Sequence, residues 1–112
     1  MTSIDRATHE AARAFLAKLA GRYDIKSALL FGSRARNDHR PDSDADIAVL
    51  LRGNAKPVVA TSLDMVDVAY RIELDTGIVI SPFPIWEDQW ERPETHSNPD
   101  LVRNIQREGI SL

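Results

Sequence analysis

Two aspartates one residue apart, Asp44 and Asp46, open an apolar run that continues to Leu51. In a strand, alternate side chains project from the same face, so these two carboxylates would stand a few ångströms apart. Hard oxygen ligands crowded in this way repel one another unless a cation sits between them, and Mg²⁺ shared with substrate phosphates is the usual occupant. Upstream, a second apolar run ends in Gly32-Ser33. Glycine there lets a phosphate approach the backbone closely, and a turn into a helix start presents N–H groups to an anion. Ser33 adds a hydroxyl. The stretch Leu29 to Leu51 therefore has the parts to hold a triphosphate, the turn at one end and metal-bearing aspartates at the other.

These residues need a scaffold, and the pattern of the chain supplies one. Ile4, Ala7, Ala11, Phe15, Leu16 and Leu19 recur at intervals of three and four, which predicts an amphipathic helix over residues 4–20, capped by Thr2 or Ser3 and stopped at Gly21. Ser27 to Phe31 reads as a strand, followed by a short helix and a loop through Asn37 to Ser43, with Asn37 suited to a left-handed turn. Ile47 to Leu51 suits a central strand buried on both faces. Pro57 opens a helix running from Val58 to Asp75. Val59, Leu63, Val66 and Tyr70, flanked by Ser62, Met65, Ala69 and Ile72, form a wide stripe expected in the core, and Asp64, Asp67, Glu73 and Asp75 its solvated face. Ile78 to Ile80 reads as a third strand, and Pro82 and Pro84 confine the next segment to an edge or a bulge. Trp86 to Trp90 reads as a helical turn covering one end of the core, and Arg92 to Asn98, including His96, as a polar mobile link without partners. Asn98, Pro99 and Gly109 bracket a final short helix.

At 112 residues the chain has room for a single domain, residues 1–112, and not for a further domain to grip an acceptor. A net charge of −3 argues against direct nucleic-acid binding, which concentrates positive charge. The one basic cluster, Arg34, Arg36 and Arg40, lies inside the motif and reads either as a solvated turn or as a phosphate or partner contact. No run reaches membrane-spanning length, no signal core follows the N-terminus, and the absence of cysteine fits a cytoplasmic setting.

Gly32-Ser33-Arg34-Ala35-Arg36 followed by Asp42-Ser43-Asp44-Ala45-Asp46 and an apolar strand resembles the signature of the nucleotidyltransferase superfamily related to DNA polymerase beta, and in particular its short minimal nucleotidyltransferases. Either half alone would carry little; together at this spacing they are specific. The ending Arg107-Glu108-Gly109-Ile110 is also similar to those proteins. The resemblance implies an α/β (α+β) fold, a small mixed sheet with helices packed mainly on one face. It implies nucleotide binding by Gly32, Ser33, Arg34 and Ser43, and catalysis and Mg²⁺ binding by Asp44 and Asp46, with ATP as substrate. It further implies an antitoxin that attaches AMP to a tyrosine of a HEPN-domain RNase toxin within a hetero-oligomer, with Arg34, Arg36 or the segment Trp86 to Trp90 at the contact.

The sequence departs from the family pattern at one place. Active members carry a third acid on the strand after the pair, whereas Ile78-Val79-Ile80-Ser81 has none, and Glu73 and Asp75 precede it across Gly77. Two alternatives therefore stand beside the protein-modifying enzyme: an antitoxin that inhibits by binding alone, and a nucleotidyltransferase acting on a small molecule.

Overall fold

The computed structural model describes residues 4–36, 38–40 and 42–112. Helix α1 (Arg6–Leu19) is followed by β1 (Ile25–Phe31), the single turn α2 (Ser33–Arg36), β2 (Ala45–Leu51), the long α3 (Val58–Thr76), β3 (Ile80–Trp86), α4 (Glu87–Glu91), α5 (Pro99–Glu108) and the short β4 (Ile110–Ser111). The strands form one mixed sheet in the order β3-β2-β1-β4. β1 runs antiparallel to both β2 and β4, while β2 and β3 are parallel.

Alternation along β2 divides the core. Ala45, Ile47, Val49 and Leu51 face α1 and α3, where Phe15, Leu19, Met65, Val68 and Ile72 complete the larger cluster. Ala48 and Leu50 face the other way, against Ile85 and the α5 residues Val102 and Ile105. The two long helices thus share one face of the sheet and the shorter α5 covers the other. β2 is buried almost throughout, as its apolar run requires of a central strand.

Asp5 caps α1, its carboxylate accepting from the Thr8 amide at 3.1 Å. The expected caps Thr2 and Ser3, and the turn at Asn37, lie outside the described residues. Pro57 sits one place earlier than expected, at the N-cap of α3, and Gly77 closes that helix in the left-handed conformation with φ of 77°.

Three expectations are corrected. β3 starts at Ile80, where the expected strand Ile78 to Ile80 would end, and continues to Trp86 through both prolines, at the sheet edge to which they were expected to be confined. Pro82 and Pro84 are two residues apart, so both ring nitrogens point to the same side of the strand. At the sheet edge that side is the open one, and the ladder to β2 is unbroken.

The second correction concerns α3. Val59, Leu63, Val66 and Tyr70, the centre of the expected stripe, are exposed, whereas its flanking Met65, Ala69 and Ile72 pack inward together with Val68. The helix carries two apolar stripes, and the one built on Met65, Val68, Ala69 and Ile72 faces the sheet. Its acids are not all solvated either. Asp64 accepts from the Tyr23 hydroxyl at 2.6 Å and from Arg22 at 2.5 Å, and burial together with that bond pushes the Tyr23 pKa up to about 12.

The third lies beyond β3. Trp86 is buried in the larger cluster and Trp90 packs half-buried against the smaller one, as a core role demands. Between α4 and α5, Pro93–Thr95 form a 3₁₀ turn, and His96 accepts from the Asn98 amide at 2.9 Å, so this link is more structured than its composition suggested.

Candidate functional site

The register of β2 sets the site. Asp46 stands opposite Phe31 of β1 on one side and Ser81 of β3 on the other, at the end of the sheet where β1 stops and β2 and β3 begin. It shares the α5 face with Ala48 and Leu50. Asp44, just ahead of the strand, is exposed, and its Oδ2 accepts a hydrogen bond of 2.8 Å from the Ser81 hydroxyl. Asp46 is half-buried. Burial raises its pKa above the ordinary carboxylate range, the charge of Asp44 raises it further, and the nearby Arg36 offsets part of both. Phe31 and Phe83 meet edge to face on this side of the sheet with ring centroids 5.2 Å apart, an apolar floor beside the carboxylate.

Gly32 is what lets the turn and the aspartates meet. Its φ is +76°, and a Cβ placed on it would overlap the Oδ2 of Asp46. The residue is therefore demanded twice, by backbone conformation and by the approach of a carboxylate. The next residue starts α2, in which the Arg36 amide donates to the Gly32 carbonyl at 3.1 Å and the Asp38 amide to the Ser33 carbonyl at 3.1 Å. Gly32, Ser33, Asp44 and Asp46 are thus assembled at one end of the sheet, as the sequence spacing required.

Arg34 and Ser43 are placed differently. The Arg34 side chain is buried, its Nε donating to the Ser43 carbonyl at 2.8 Å and its Nη1 to the Thr8 hydroxyl at 2.8 Å. Thr8 in turn donates to Asp5 at 2.6 Å, and His39 Nε2 lies 3.6 Å from the same carboxylate. Burial pushes the Asp5 carboxyl up, but the hydroxyl and amide of Thr8, with His39 and Arg34, outweigh it and hold the group below its usual value. The Ser43 hydroxyl accepts from the Arg40 amide at 3.0 Å and so shapes the loop into β2. Arg34 is therefore a strut between α1, α2 and that loop. Arg36, whose charge acts on Asp46, is exposed and pairs with Asp38 at 3.3 Å and Glu108 at 3.9 Å. Arg34 and Trp86, both expected at a partner contact, are turned inward.

Ser81, read from the sequence only as the end of an acid-free strand, is aligned by the register directly with Asp46. It occupies the place beside the aspartates on the next strand, where the resemblance expects a third acid. Val79 precedes the strand, its carbonyl accepting from the Ala45 amide at 2.8 Å. Glu73 and Asp75 lie in the last turn of α3, and no group of three potential metal-ligating side chains forms among the described residues. The donor set that remains, two carboxylates of which one is half-buried and repelled by the other, fits a hard divalent cation that also takes oxygens from a bound phosphate. A cavity of about 260 Å³ lined by Arg22, Tyr23, Arg52 and Trp86 lies at the opposite end of the sheet, away from this chemistry.

Residues 15–112 match the family described as Polymerase beta, Nucleotidyltransferase. The chain belongs to this family. In fold it is similar to the 1.40 Å crystal structure of a Sulfolobus solfataricus protein, itself provisionally assigned as a nucleotidyltransferase, with a TM-score of 0.57 and 17% identity over 96% of this chain and 86% of that one. Curated proteins give no match. The α/β fold with a small mixed sheet is that of a nucleotidyltransferase. No helix among the described residues is long and apolar enough to cross a membrane.

Proposed function

We propose that this nucleotidyltransferase moves AMP from ATP to a tyrosine hydroxyl of a HEPN-type RNase toxin, and so serves as the antitoxin of that pair. The observation that carries the transfer reading is the meeting of Asp46 with Gly32, which sets a carboxylate directly against the Gly32-Ser33 turn at the sheet end where Asp44 also stands. Asp44 and Asp46 would hold Mg²⁺, which when bound neutralises charge on the reacting phosphate. Gly32 and Ser33 receive the triphosphate, Arg36 offers an exposed guanidinium to it, and Arg34 and Ser43 keep α2 and the loop in place. The acceptor oxygen attacks the α-phosphorus, the bond to pyrophosphate breaks, and the hydroxyl proton leaves to solvent.

Ser81 bears on the rate. With a serine where a third acid would stand, base assistance typically worth about 10² to 10⁴ in rate is absent. A tyrosine, with an unperturbed pKa near 10, is the acceptor least dependent on it. The transfer is therefore slow and rises with pH. The same serine favours a second reading, in which the chain silences its partner by binding alone.

Intact-mass measurement of the partner after prolonged incubation with ATP and Mg²⁺ separates the two. The transfer reading expects an added AMP that disappears with Asp44→Asn. No added mass, together with suppressed RNase activity in the complex, leaves the binding reading in possession.

A further inference from the structure

The outer face of α3 carries the largest run of exposed apolar side chains in the described residues. Val59, Leu63, Val66, Tyr70 and Leu74 follow at intervals of four, three, four and four, with exposures from 51% for Val66 to 68% for Val59. This is the spacing of a helix-packing seam, and contiguous exposed apolar surface of this kind marks an interaction site. At 1.5 Å per residue it extends along roughly 20 Å of helix.

The polar surroundings indicate the occupant. Lys56 stands just ahead of the helix, while Glu73 and Asp75 lie in its last turn, where the helix dipole is itself negative. Acids there are locally unfavourable, and among the described residues neither they nor Lys56 make an ion pair. The stripe reads nearly alike from either end, with its middle at Val66. Rotating a second copy by half a turn about that middle lays seam on seam, opposes the two dipoles, and brings each Lys56 to the Glu73 and Asp75 of the other copy. A face complementary to itself in both apolar pattern and charge is what a two-fold interface requires, whereas an unrelated partner needs no such palindrome.

We propose that the chain forms a homodimer through antiparallel packing of its two α3 helices about Val66. The packed face points away from the sheet, so both copies keep the Asp44–Asp46 end open. The pairing does not depend on the transfer reaction.

The absence of cysteine from the chain makes the geometry directly testable. In the full chain at micromolar concentration, sedimentation should give a dimer. Val66→Asp places like charges at the axis and should weaken association at least tenfold while circular dichroism shows an intact fold, since residue 66 is exposed. Val66→Cys should cross-link efficiently with a short bis-maleimide. Val59→Cys should not, because two copies of residue 59 lie roughly 20 Å apart along antiparallel helices. Lys56→Glu should weaken the dimer, and adding Asp75→Lys should restore it. A monomeric wild type, a dimer indifferent to Val66→Asp, or cross-linking at residue 59 instead of 66 would each overturn the proposal. So would protection of the seam only by a different protein.

Discussion

Two charged clusters lie within a few residues of each other on either side of α2, and they are built on opposite principles. On the α1 side, Asp5, Thr8, Arg34 and Ser43 satisfy one another, and the Asp5 carboxyl is held below its usual value. At the sheet end, Asp46 is half-buried beside another carboxylate and its pKa is raised. The first cluster spends its charges on holding the motif together. The second leaves its charge only partly compensated, by Arg36, where a ligand can supply the rest. An aspartate's surroundings, more than its presence in a motif, separate structural from reactive roles.

The contrast is sharpest if Arg34 is replaced. Arg34→Met should cost about 3 kcal/mol, because the hydrogen bonds of a buried guanidinium are lost and Thr8, Asp5 and the Ser43 carbonyl lose a partner; urea unfolding measures it. Gly32→Val should cost about 2 kcal/mol or more, from a left-handed backbone forced on a β-branched residue and from collision with Asp46. It should also block nucleotide binding. Asp5→Ala, which removes the α1 cap, should cost about 1 kcal/mol.

Asp46→Asn should go the other way and raise the thermal midpoint slightly, since it removes a charge that burial and Asp44 disfavour. The pH dependence has opposite signs at the two sites. As pH falls, Asp46 takes its proton above the ordinary carboxylate value near 3.9, and the native state gains stability there. Asp5 takes its proton below that value, and the stability it contributes at neutral pH is then lost. Stability curves of Asp46→Asn and Asp5→Asn should flatten the first and the second of these changes respectively. Equal behaviour of the two variants would erase the distinction between the clusters.

Ser81→Asp offers a finer test, because it would place a third acid beside the pair on the strand that pairs with β2. It should speed AMP transfer, whereas Val79→Asp, ahead of the strand, should not. A single-turnover time course of modified partner measures the difference.

Much of this was legible from residue spacing. Asp44, Asp46 and Gly32-Ser33 are brought together because a two-residue period and a glycine turn are local geometry that sequence expresses directly. The role of Arg34 was not, since only the packing of α1 against α2 shows that its guanidinium points at Thr8. Ser81 was read on an acid-free strand but not as the residue level with Asp46, because a proline pair reads as the end of a strand, when at an open edge two prolines in phase leave the ladder whole. On α3, periodicity showed one wide apolar stripe but not which part of it packs inward. The inward stripe is selected by fit against the sheet, a tertiary property.

The central claim is that Asp44 and Asp46 form one metal-dependent nucleotide site with the Gly32-Ser33 turn. Calorimetric titration of ATP in the presence and absence of Mg²⁺, on the wild type and on the Asp44→Asn, Asp46→Asn double variant, tests it most directly. Mg²⁺-dependent binding in the wild type, and its loss in a double variant that stays folded, is the predicted result. Unchanged ATP affinity in the double variant would contradict it.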